Sequence, residues 1–66
     1  MTRIGDIALS REPAVVELIE VDEDWYVRIV DRQGRETVNS FPLESIAVAF
    51  AEQHCRLLGL DRFDRV

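Results

Sequence analysis

The chain contains no lysine, one histidine and one cysteine. A single cysteine excludes an internal disulfide. One His and one Cys fall short of the four ligands that a structural zinc takes. No apolar run approaches the ~20 residues that cross a bilayer as a helix. The glycines stand apart at 5, 34 and 59, so there is no glycine-rich phosphate loop, and no serine lies in a nucleophile-elbow motif. "MTRIGDIALSREP" has Asp6 where the apolar stretch of a secretory signal would run. With a lone thiol, this predicts a cytoplasmic protein that makes no membrane contact. No cofactor, metal or catalytic residue is expected.

What is present fits one small domain over residues 1–66. A chain this short buries only about 60% of its unfolded surface, so it needs a very good core or a partner subunit. Apolar residues make up 47% and charged residues 32%, as in folded rather than disordered chains. Thirteen acids against eight bases leave a net charge of −5. That balance disfavours a protein whose main work is neutralising phosphates. All eight bases are arginine, the better group for planar or stacked recognition.

The pattern predicts an α+β fold, a three-stranded antiparallel sheet with one C-terminal helix on one face, in the order β-β-β-α. Residues 14–21, "AVVELIEV", read as a strand apolar on both sides, hence a central one or one covered by another chain. "DED" at 22–24 reads as the turn and "WYVRIV" at 25–30 as the second strand. "DRQG" signals a hairpin with Gly34 at positive φ. Residues 35–41 read as a polar edge strand. Pro42 to Leu58 reads as the helix, with Pro42 in its first turn and Gly59 as its left-handed stop. Residues 1–12 read as a poorly ordered stretch or a short edge strand, and 60–66 as a tail in which Phe63 can pack.

"EQHCRLL" at 52–58 sets the only His beside the only Cys, the two halves of a thiol nucleophile site. At about 100° per residue, neighbouring helical side chains diverge, so His54 and Cys55 do not meet. On this helix Leu43, Ile46, Ala47, Phe50, Leu57 and Leu58 form a stripe, with His54 near its middle. Val48, Ala51 and Cys55 lie on a flank. The core is therefore expected to join Ile46, Phe50 and Leu57 to Val27, Ile29 and either Trp25 or Phe41. His54 is expected to be partly buried and hydrogen-bonded, and Cys55 to be a packing residue. The carboxylates of "EVDEDW" lack the spacing of a calcium loop and read as a solvated turn.

Two surfaces carry candidate function. Tyr26, Arg28, Arg32 and Arg35 gather on the second hairpin, where aromatics among arginines suit base stacking and phosphate contact. Asp31 and Glu36 flank them and favour ion pairing instead. Val16, Leu18 and Val30 are expected on the sheet face away from the helix, an apolar surface fit for a second copy. The aromatic "WYV" hairpin followed by a polar strand and a helix resembles small bacterial β-β-β-α modules. These include antitoxin-type relatives of double-stranded RNA-binding folds. The proline-glycine signature of those antitoxins is missing here, and the resemblance covers only the order of elements. The leading expectation is a non-catalytic protein-interaction module acting as a homodimer, or docking another protein. The alternative is an antitoxin-like regulator that contacts nucleic acid.

Overall fold

The computed structural model describes residues 13–66, and the strand or disorder expected in 1–12 lies outside them. β1 spans Val15–Val21, β2 Asp24–Val30 and β3 Glu36–Phe41. Helix α1 spans Glu44–Leu58, and a two-residue strand β4 spans Asp64–Arg65. The fold is the expected α+β arrangement, β-β-β-α, with a fourth strand added from the tail. The sheet order is β3-β2-β1-β4, antiparallel except that β4 runs parallel to β1. β1 is thus central, as its two apolar sides require, and β3 lies at an edge.

The β1–β2 connection is tighter than "DED" suggests. Val21 pairs with Asp24, so only Asp22 and Glu23 turn the chain. Both sit at positive φ, 53° and 67°, the signature of a type I′ hairpin. One residue fewer in the turn shifts the pairing by one. Val16 then faces Ile29 and Leu18 faces Val27. A one-residue shift exchanges the two faces of a strand. Val16 and Leu18 are consequently core residues, 2% exposed each, and not part of the outer face with Val30. The β2–β3 turn behaves as expected. Asp31 accepts from the N–H groups of Gln33 and Arg35 through Oδ1, and Gly34 takes φ 85°.

The helix starts two residues later than Pro42. Leu43 is still extended at φ −129°, ψ 142°, and serves as the N-cap residue without a side-chain cap. Glu44 opens the first turn, where the helix dipole favours a carboxylate. At the other end Gly59 adopts φ 74°, and the Leu60 N–H reaches back to the Cys55 carbonyl at 2.8 Å. This is a Schellman-type stop that folds Leu60 onto the core.

The core face of α1 is rotated from the expected stripe. Ala47, Ala51 and Cys55 are buried against Val16, Leu18, Val27 and Ile29. Phe50 and Leu58 are only partly covered, while Ile46 and Leu57 stay exposed. Two causes act together. Small side chains let the helix backbone approach the sheet closely, which large ones at the centre would prevent. Leu60 and Phe63 pack beside β1, drawing the Val48–Cys55 side of the helix inward. The predicted contacts of Val27, Ile29, Trp25 and Phe41 with the core hold.

Candidate functional site

Among the described residues, no element lies over the sheet face opposite α1. Successive side chains alternate between faces, so the register puts Val15, Glu17, Ile19 and Val21 here with Tyr26, Arg28 and Val30, then Glu36, Val38 and Ser40. At its centre Arg28 donates to Glu17 across the strand pair at 2.9 Å and to Glu36 diagonally at 2.7 Å. The Glu36 and Glu17 hydrogen bonds raise the Arg28 pKa further above its ordinary range. One guanidinium thus faces two carboxylates, through Nε and Nη1, which leaves this part of the face with excess negative charge.

The other arginines of the hairpin do not join Arg28 in a basic patch. Arg32 donates to the Leu58 carbonyl and so binds the hairpin turn to the C-terminal end of α1. A cation there also meets the negative end of the helix dipole. Arg35 contacts Gln33 in the turn at 3.3 Å. Tyr26 lies on the outer face beside Ser40 and lines a shallow depression with Asp24, Phe41 and Pro42. Of the candidate site residues, Tyr26, Arg28 and Val30 share one face, Arg32 and Arg35 lie in the turn, and Val16 and Leu18 are beneath the helix.

A second surface runs along the opposite flank of the molecule. The outer edge of β3 has no strand partner among the described residues. Above it, the helix exposes the large side chains that the sequence assigns to the core. Ile46 is 46% exposed, Leu57 71% and Leu43 57%; Val38 is 53% exposed too, but on the outer face of β3 beside Arg28. Phe50 anchors this flank, stacking on Phe41 at 4.9 Å and on His54 at 4.3 Å. No residue from Thr37 to Leu43 is charged, and the helix charges Glu44, Glu52 and Arg56 all point away from this flank. The sequence signal for this surface is the absence of charge over 37–43, a run that "polar edge strand" conceals.

His54 and Cys55 part company as helix geometry requires. His54 Nδ1 lies 3.2 Å from the Phe50 carbonyl, on the β3 side. Cys55 is buried on the other side, beneath a groove of about 320 Å³ lined by Glu52, Arg56, Leu60 and Phe63. Burial, with Glu52 and Asp64 nearby, pushes the Cys55 thiol up from its ordinary pKa. A thiol so held is a poor nucleophile. Among the described residues, no three His, Cys, Asp or Glu side chains converge to hold a metal. No described helix is long and apolar enough to cross a membrane. No family model, curated protein or solved structure matches the chain.

Proposed function

We propose that the chain is a non-catalytic protein-interaction module that acts as a homodimer. The observation that carries this reading is the exposure of Leu43, Ile46 and Leu57 on the helix side of the β3 flank, where neither the 37–43 run nor the helix face brings a charge. Scattered single apolar residues need no explanation, but a contiguous set is the mark of a docking surface. A short chain without crosslinks gains most from covering such a set with a second copy. The non-catalytic part of the reading rests on the raised Cys55 thiol and on the divergence of His54 from it. A buried single thiol also suits the reducing cytoplasm, where we place the protein.

The nucleic-acid reading draws little support. The charge of Arg28 is offset by two carboxylates and Arg32 is held at the helix end, so the hairpin arginines do not gather into one basic patch. Sedimentation equilibrium from low to high micromolar concentration tests the proposal. It should give twice the 7.6 kDa chain mass at the upper end. A single-chain mass throughout would refute it.

A further inference from the structure

Resting on the homodimer reading, we infer that the second copy adds at the edge of β3 that is unpaired among the described residues, in antiparallel pairing about a two-fold axis at Val38. The backbone supplies the register. The Asp31 N–H donates to the Arg35 carbonyl at 3.0 Å, which makes 31/35 a hydrogen-bonded position in line with the β2–β3 ladder. Antiparallel ladders alternate hydrogen-bonded and non-bonded pairs. The peptide groups of Thr37, Asn39 and Phe41 therefore point toward β2. Those of Glu36, Val38 and Ser40 point outward to the free edge. Centring the axis on Val38 sets Val38 against its own copy and Glu36 against Ser40 of the other chain. Every outward peptide group then finds a partner, and no carboxylate faces a carboxylate.

The self-complementary register fits a second copy, and charge selects this edge over the outer face. Two chains of net charge −5 repel, so they meet most readily through surfaces without charge. The outer sheet face has the Glu17–Arg28–Glu36 cluster at its centre, and burying it against a copy would desolvate three ions. The β3 edge carries no charge from Thr37 onward. It also has none of the devices that block edge pairing, since it contains no proline, bulge or inward charge. Pairing there brings the flanks of the two helices, with Ile46, Phe50 and Leu57, to face each other on the same side of an extended sheet.

The test uses proline parity. Val38→Pro removes only an outward N–H and should yield a monomer by sedimentation equilibrium with an unchanged far-ultraviolet circular dichroism spectrum. A Val38→Pro protein that remains dimeric overturns the edge proposal while leaving the homodimer standing. A parent that is monomeric overturns both. Should Val38→Pro fail to fold, thiol crosslinking decides in a Cys55→Ala background. Val38→Cys should link copies with a short bismaleimide, because paired Cα atoms in such a ladder lie about 5.5 Å apart. Ile19→Cys on β1 should not link, since five strand spacings separate the two copies by about 24 Å. Linkage at Ile19 without linkage at Val38 would place the contact on the outer face and refute the edge.

Discussion

Glu23 occupies a backbone conformation that its side chain disfavours. Left-handed geometry costs a residue with a Cβ about 1–2 kcal/mol, and Glu23 holds φ 67° in a two-residue turn whose preferred second residue is glycine. Glu23→Gly should stabilise the fold by about 0.5–1 kcal/mol after the added freedom of the unfolded chain is counted. The readout is a thermal midpoint raised by a few degrees. Asp31 has the opposite character, since its carboxylate is well used. The Arg35 N–H holds its pKa below the ordinary 3.8, helped by the N–H groups of Gln33 and Gly34. The unfolded chain therefore takes up this proton more readily than the folded one. The stability that Asp31 adds is complete above pH 3.8 and disappears as pH falls below it, through the lower folded value. Urea melts of the parent and of Asp31→Ala should differ at neutral pH and converge below that window.

Helix α1 meets the sheet through its smallest side chains. The weight of the core therefore rests on the strands, where Leu18, Val16 and Val27 are the largest side chains fully enclosed. Leu18→Ala should cost about 2–5 kcal/mol, a large share of what a domain of this size possesses. Phe50→Ala should cost less than Leu18→Ala, because Phe50 is only partly buried at the margin of the core and loses mainly its contacts with Phe41 and His54. Chemical denaturation of the two variants at a concentration below dimerisation checks the order. A larger loss from Phe50→Ala would show that the helix contributes its aromatic side, and not its alanine side, to the core. The short β4 completes this arrangement. The Val66 N–H donates to the Leu18 carbonyl at 2.9 Å, and Arg65 reaches Glu44 at 3.1 Å. The tail thereby ties the edge of β1 to the start of the helix.

The whole molecule carries its charge unevenly, and salt reads this out. Self-association of a chain with net charge −5 works against long-range repulsion. Raising ionic strength shortens the screening length from about 30 Å at 0.01 M to about 8 Å at 0.15 M. Dimerisation should accordingly strengthen with salt over that range, and sedimentation equilibrium in a salt series measures it. Weakening with salt would point instead to ion pairs across the interface, and hence to the Arg28 face. Binding to nucleic acid through the hairpin would weaken with salt, the opposite sign to that expected for dimerisation at the uncharged edge.

Local chemistry in the sequence determined the elements and several of their ends. β-branched runs made the strands, Gly34 and Gly59 took the positive-φ positions, and the polar run over 35–41 placed β3 at an edge. The divergence of His54 and Cys55 followed from helix geometry alone. Tertiary structure decided which faces these elements turn inward. Val16 and Leu18 moved from the outer face to the core because Asp22 and Glu23 close the hairpin without Asp24, and one residue of register reverses a strand. The helix turned toward Ala51 and Cys55 because Leu60, Phe63 and β4 pack on that side, contacts that local periodicity does not encode. The arginines near the hairpin lost their common role for a similar reason. Glu17, Glu36 and the Leu58 carbonyl come from other elements, and only folding brings them within reach.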